Sequence, residues 1–312
     1  MSIIEIPRGI IVIILFIYVF YIIYTCEKKR NQNKSKKKDR EYKRIDLLID
    51  DYDKFKMTCY IKNNNGNLFY LRWGDGPNNS LVINTGTLID ENDIYDINNL
   101  FYTNINWLST KFLNQFIFKR DKINKNSCNI FIPPDTYNIF NYILDNMYIS
   151  NNSINKHNIF ETFVKDKEKN SFSSPYHKNE VILGDKKNIK VEPFTTYSSK
   201  GIGYLIQIKI NNHWNNLAAF TGKTTINVFH DEDNYFLKNV PYLFIDIGFI
   251  DKSKSFYEAY IKETLHLKEI INLNLNNKSI IGYNLSEHYT INQIESNCKD
   301  FIKKGNFIIY NQ

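Results

Sequence analysis

The chain has only four cysteines, Cys26, Cys59, Cys128 and Cys298, and no two stand at a CxxC or zinc-ligand spacing. That excludes a disulfide framework and a structural zinc knuckle, and leaves buried or idle thiols in a reducing compartment. Net charge is missing from most of the sequence as well. Glu27 to Arg44 holds ten Lys or Arg against three acids, which accounts for the whole formal charge of +7. The remainder sums to zero, so the folded part carries no field to attract phosphates, and a nucleic-acid partner is disfavoured. Basic residues are also scarce before the first apolar run, where only Arg8 stands, balanced by Glu5. Tyr24-Thr25-Cys26-Glu27 offers no small-residue cleavage site, which argues against a cleaved secretory signal.

What is present begins with that run. After a short tail (1–8), residues 9–26 read GIIVIILFIYVFYIIYTC, uncharged and aromatic-rich, at the short end of what spans a bilayer. They are expected to form a retained transmembrane anchor. Lys28, Lys29, Arg30, Lys34, Lys36, Lys37, Lys38 and Arg40 follow directly. By the positive-inside rule this cluster stays cytoplasmic and leaves the N-terminus exoplasmic, in a single-pass protein with a cytoplasmic C-terminal domain. The same side chains are drawn to anionic lipid, so the bilayer itself is the first expected partner. Residues 27–56 read as a basic juxtamembrane linker. Asn, Ile and Lys are used heavily throughout, as AT-rich coding would produce.

With 43% hydrophobic and 15% aromatic residues, the rest of the chain can bury a sizeable core. From about Met57 short strands alternate with Asn/Gly turns: 57–62, 68–73, 80–85, 100–103 and 129–132, then a helix over 136–146. Residues 147–179 are polar and read as a long surface excursion with His157 and His177 in solvated loops. A second strand-rich half follows (180–183, 189–194, 204–210, 217–221, 242–246), then a helix over 258–274, a strand 279–284, a helix 291–303 and a last strand 306–310. Strands first and helices late, twice over, is a duplicated α/β plan.

The chemistry-bearing blocks are Asn84-Thr85-Gly86, Thr103-Asn104-Ile105-Asn106-Trp107-Leu108-Ser109, Tyr197 ahead of Gly201-Ile202-Gly203-Tyr204, Thr221-Gly222-Lys223-Thr224, Glu263-Thr264-Leu265-His266-Leu267-Lys268-Glu269-Ile270, and Ile281-Gly282-Tyr283-Asn284 leading to Ser286-Glu287-His288-Tyr289. In order and spacing, residues 57–312 resemble the metallo-β-lactamase superfamily, and within it the ribonuclease Z-like branch. The resemblance implies a four-layer αββα sandwich. It also implies two zinc ions held by imidazoles and a bridging aspartate, which lower the pKa of a shared water.

In this sequence the seven ligand positions that the resemblance implies are occupied by Asn104, Asn106, Leu108, Ser109, Tyr197, Lys223 and Asn284. Amides are far weaker zinc ligands than imidazole, leucine is none, and protonated Ser and Tyr are poor ones. No cofactor is therefore expected. Lys223 reads in two ways, as an internal positive charge in place of the lost cations or as a side chain snorkelling to solvent. His266 and the pair Glu287–His288 could do acid–base work, or could be a packed helix residue and a solvated turn. The leading expectation is a non-catalytic, membrane-anchored binding or scaffold module acting with an unidentified protein partner or as a homodimer. The alternatives are a metal-dependent phosphodiesterase with unorthodox ligands and a structural component of a viral or organellar membrane.

Overall fold

The computed structural model describes residues 43–48, 55–62, 66–76, 78–122, 127–147, 157–164, 177–199, 201–250, 255–285, 289–302 and 307–309. The expected anchor 9–26 and the Lys/Arg cluster of 28–40 lie outside them, as does His288. Among the described residues no helix is long and apolar enough to cross a membrane. Contacts divide the chain after Arg44, and the unit considered below is Ile45–Gln312.

Its strands build two sheets. The first runs in chain order: β1 (Lys43–Leu48), β2 (Lys56–Lys62), β3 (Leu68–Arg72), β4 (Ser80–Ile83), β5 (Asn99–Phe101), β6 (Asn129–Ile132), β7 (Asn158–Thr162) and β8 (His177–Lys178). From β2 to β4 the pairing is antiparallel, and from β4 to β8 it is parallel. The second sheet repeats the plan. Its members are β9 (Val181–Leu183), β10 (Ile189–Thr195), β11 (Ile202–Ile210), β12 (His213–Phe220), β13 (Tyr242–Phe249), β14 (Leu265–His266), β15 (Ser279–Tyr283) and β16 (Phe307–Ile309). Strands β9 to β12 form an antiparallel meander, and β12, β13, β15 and β16 are parallel neighbours, with β14 beside β13.

Period-2 alternation explains how the sheets stack. On β12 and β13, Ala218, Phe220, Tyr242 and Phe244 face the core between the sheets, whereas Ala219, Leu243, Ile245 and Ile247 face a second core on the other side. Strands buried on both faces read as continuous apolar runs, which is why 242–249 is hydrophobic almost throughout. Phe69 of β3 bridges the sheets, with ring centroids 5.2 Å from Phe220, 5.6 Å from Phe244 and 4.8 Å from Tyr283. The outer core of the second sheet is closed by the 3-10 segments Ile226–Phe229 and Glu232–Lys238 and by two late helices, Leu267–Ile271 and Ile291–Ile302. On the first sheet the helix Tyr137–Asn146 packs Phe140 against Tyr102.

Three sequence readings need correcting. The helix read over 258–274 is two helices, Phe256–Ile261 and Leu267–Ile271, separated by β14. Glu263 adopts φ +50° between them, and no α-helix continues through a left-handed residue. The stretch 147–179 is not wholly an excursion, because β7 and β8 extend the first sheet within it. His157 is buried there, its Nδ1 accepting from the Cys128 amide, so it is no solvated loop histidine. Finally, the strand Lys43–Leu48 falls inside the stretch read as linker, where Asp46 pairs with Lys56 of β2.

Candidate functional site

Parallel sheets place functional loops at the carboxyl ends of their strands, and a cleft forms there. Its volume is about 310 Å³ including the open mouth. Twelve residues line it: Asn67, Asn84, Thr103, Asn104, Asn106, Leu108, Ser109, Gly222, Lys223, Asp246, Tyr283 and Asn284. Asn84 follows β4, Thr103 and Asn104 follow β5, Lys223 follows β12, and Asn284 follows β15. Thus seven residues singled out from four separate sequence blocks meet in one depression.

The local backbone accounts for several of the residue types. Asn84 (φ +60°) and Asn284 (φ +63°) occupy the left-handed region, which asparagine tolerates better than most residues. Gly222 (φ +60°) turns where a Cβ would come within 2.6 Å of Thr103 Cβ, so the loop carrying Lys223 lies directly against the loop carrying Asn104. Asn84 clasps Thr103, its Oδ1 accepting from the Thr103 amide at 3.1 Å and its Nδ2 donating to Thr103 Oγ1 at 3.1 Å. Asn106 caps the short helix Trp107–Thr110, accepting from the Ser109 amide at 2.9 Å, and Ser109 Oγ donates to Asn104 O at 2.7 Å. Asn106 and Ser109 therefore hold the loop together. An N-cap asparagine contributes about 1 kcal/mol, so Asn106→Ala should lower unfolding free energy by that amount in a urea titration.

Asp246 sits at the floor, and sequence reasoning passed over it. It shares the inward parity of Phe244, is almost completely buried, and is the one charged residue in an otherwise apolar strand. That interruption was the available signal. Asn284 Nδ2 donates to its Oδ2 at 2.7 Å and Thr264 Oγ1 to its Oδ1 at 2.8 Å. Burial pushes its carboxyl up to about 7, against the opposing pull of those two donors and of Lys223. At Glu263 burial pushes the carboxyl up, but donors from Ser199 and Ser198, with a smaller pull from Lys223, together outweigh it and hold the group below the usual carboxylate range.

Two of the expected residues sit elsewhere. Tyr197 is not part of the cleft lining. It stands 47% exposed in a left-handed turn (φ +59°), its hydroxyl donating to Asp231 Oδ2 at 3.0 Å, a bond that raises its pKa and disfavours the phenolate. His266 is fully buried and caps the helix Leu267–Ile271, its Nδ1 accepting from the Lys268 amide at 3.1 Å and its own amide donating to Glu269 Oε2 at 2.8 Å. Its ring meets Phe256 edge-on, so the packed-helix alternative describes it.

Comparison with known proteins was decisive only at the level of shape. No family model matches the sequence, and no curated protein matches it. Among solved structures, the metallo-β-lactamase fold protein YhfI from Bacillus subtilis superposes with a TM-score of 0.52 at 10% identity, over 80% of this chain and 90% of that one. The chain has the metallo-β-lactamase fold. A long-form RNase Z from yeast also superposes on it, with a TM-score of 0.51 at 11% identity, over 81% of this chain and 38% of the yeast protein.

The cleft of this metallo-β-lactamase fold can be tested for the cations that the resemblance implies. Its lining holds a single carboxylate, Asp246, and no imidazole or thiol. Among the described residues no three His, Cys, Asp or Glu side chains cluster in a way that could hold a metal ion. The Asn106 carbonyl oxygen is committed to its cap, Asn84 to Thr103, and the Lys223 ammonium lines the same space. Two dications at contact range from an ammonium would be repelled by several kcal/mol even with generous screening. This donor set does not fit a dinuclear metal centre.

Proposed function

We propose that this protein is a membrane-tethered binding module built on a metallo-β-lactamase fold, without metal and without hydrolytic activity. The observation that carries the reading is the composition of the cleft. Where the resemblance calls for imidazoles and a bridging carboxylate, amides, hydroxyls, an ammonium and the one buried carboxylate of Asp246 converge. These groups can donate and accept hydrogen bonds to a ligand, but they neither activate water nor stabilise a leaving alkoxide as a cation pair does. The apolar run 9–26 and the eight basic side chains of 28–40 are the basis for placing the module on the cytoplasmic face of a bilayer. Its partner there would be another protein or a second copy of the chain.

The test uses the full chain, purified in detergent. Elemental analysis should give zinc and manganese well below one equivalent per chain. Hydrolysis of bis-(p-nitrophenyl) phosphate should stay at the buffer rate with either metal added. Near-stoichiometric metal, or metal-dependent turnover that titrates with protein, would establish a phosphodiesterase with unorthodox ligands instead. The tether is tested separately by carbonate washing of cell membranes, from which the chain should not be released.

A further inference from the structure

We infer that the end of the sandwich carrying the cleft rests on an anionic lipid bilayer, through Trp107 and Leu108 of one loop and Phe256, Tyr257, Tyr260 and Ile261 of the short helix after β13. The inference rests on the tether proposed above and goes beyond it by naming the face of the domain that meets the lipid.

The helix Phe256–Ile261 turns its apolar side outward. Tyr257, Tyr260 and Ile261 stand at i, i+3 and i+4, on one side of it, and are 71%, 58% and 61% exposed. The residue it buries is Ala259. An apolar stripe on a helix ordinarily faces the core, so this one is inverted. Phe256 beside it is half exposed, its ring edge-on to His266. At the cleft itself Trp107 and Leu108 open the helix Trp107–Thr110, and both are exposed. Large apolar side chains scattered singly need no explanation, whereas a cluster of them marks a contact surface.

Both groups lie at one end of the domain. A bridge between Asn104 and Gly201 joins the loop of Trp107 to the loop after β10, and Ser198 of that loop donates to Glu263, just past the helix, at 2.8 Å. The two acids of the helix segment point their oxygens at the protein: Glu258 accepts from the Ser255 amide, and Glu263 from Ser198 and Ser199. Lys262 is exposed beside them. Aromatic bodies with polar tips, rimmed by lysine, are the side chains that settle at a membrane–water interface.

The route of the chain selects the lipid over other partners. Only seven residues, 49–55, join β1 to its neighbour β2, too few for a parallel crossover, so the pair is antiparallel. Strand β2 is antiparallel to β3 and β3 to β4, whose carboxyl end leads into Asn84 of the cleft. Ile45 therefore enters at the cleft end. Leu48 leaves at the other, where its amide donates to the hydroxyl of Tyr242, at the start of β13, at 2.9 Å. Between the apolar run 9–26 and Ile45 stand 18 residues, 27–44, which span at most about 65 Å. Such a tether keeps this end within reach of the bilayer at high effective concentration, and its own basic side chains are drawn to anionic headgroups. A second copy of the chain is under no such constraint.

The test uses the full chain reconstituted in vesicles of phosphatidylcholine and phosphatidylserine with acyl chains brominated near the headgroup, and unbrominated vesicles as reference. The three tryptophans are reporters already in place. Trp107 belongs to the docking face, whereas Trp73 follows β3 and Trp214 lies near the start of β12, both at the opposite end. Bromine should quench the parent, Trp107→Phe should remove the quenching, and Trp214→Phe should leave it unchanged. Combined Tyr257→Ser, Tyr260→Ser and Ile261→Ser should lower it at least twofold, with near-ultraviolet circular dichroism in detergent unchanged. Omitting phosphatidylserine should lower it too. A parent that is not quenched overturns the inference, as does quenching that survives Trp107→Phe or ignores the triple substitution or the missing phosphatidylserine. So does a cross-linked dimer that the triple substitution abolishes while Trp107 stays unquenched, which would make the patch an interface between copies. Density-gradient flotation after carbonate washing separates the two readings. A chain that floats with the vesicles but is not quenched keeps the tether and loses the docked face, whereas a chain that does not float loses both.

Discussion

Gly86→Ala is expected to destabilise the fold by more than about 3 kcal/mol, or to abolish recovery of folded protein. Core overpacking costs typically 1–3 kcal/mol because side chains can give way. At Gly86 the obstacle is backbone. A methyl group there would overlap the Leu108 carbonyl oxygen and come within 2.5 Å of the Asn67 amide nitrogen and 2.8 Å of Gly66 C. Gly66 is equally confined, at 2.6 Å from Leu108 O and 2.7 Å from Gly86 C. Hydrogen bonds lock the crossing: Gly86 N donates to Asn67 O at 3.0 Å and Thr85 N to Ser109 O at 2.6 Å. Three loops therefore touch without side chains between them, and they carry Asn67, Asn84, Leu108 and Ser109 to the cleft. Gly76 supplies the control. Its φ of +92° makes alanine uncomfortable, by about 1–2 kcal/mol, but nothing lies within 4 Å of a Cβ there. Chemical denaturation followed by tryptophan fluorescence measures both variants. If Gly86→Ala costs no more than Gly76→Ala, the crossing is looser than described and the cleft wall is not built this way.

Much of the framework was legible because period and punctuation agree locally. Asn129–Ile132 is the strand its apolar run announced, and the strands at 57–62 and 68–73 differ from the reading only at their ends. The cleft was legible through the resemblance, whose motif order and spacing picked out Asn84, Asn104, Asn106, Lys223 and Asn284; the left-handed backbone at Asn84, Gly222 and Asn284 is the physical reason that Asn or Gly stands at three of these turns. What failed did so through long-range contacts. His157 looked solvent-facing in a polar stretch, yet it is buried where its ring meets the Cys128 amide, 29 residues away. Tyr197 occupies a matching place in the sequence but hydrogen-bonds to Asp231 instead of lining the cleft, a choice made by a partner 34 residues distant. The helix over 258–274 broke because helical periodicity survives a one-residue left-handed kink at Glu263 that no composition rule flags. Asp246 was missed for a different reason. A lone carboxylate in a hydrophobic run gives no motif, and its meaning depends on Thr264 and Asn284 arriving from other elements.

Asp246 also gives the largest expected response to pH. Unfolded, its carboxyl ionises at the ordinary value of about 3.9; folded, burial keeps the proton on until about pH 7. Between those limits the native state binds more protons than the unfolded chain, so raising the pH favours unfolding. The contribution of this residue is thus most favourable below about pH 4, declines to about pH 7, and is constant above. Its amplitude is on the order of 2–4 kcal/mol, since each pH unit of separation corresponds to about 1.4 kcal/mol. Asp246→Asn removes the titration while keeping the shape and an oxygen for Thr264 Oγ1, and rotation of the Asn284 amide offers the new NH2 an acceptor. The variant should therefore gain on the parent steadily from pH 4 to pH 7 and hold its advantage at pH 8, as read from urea midpoints across that series. Lys223→Gln should act in the opposite sense. Lys223 draws the Asp246 carboxyl down, so its removal lets the proton stay on to higher pH and widens the interval over which stability is lost. A difference between Asp246→Asn and parent that is flat across pH 4 to 8 would mean the carboxylate is solvated in the folded protein, and the floor of the cleft would have to be open to water.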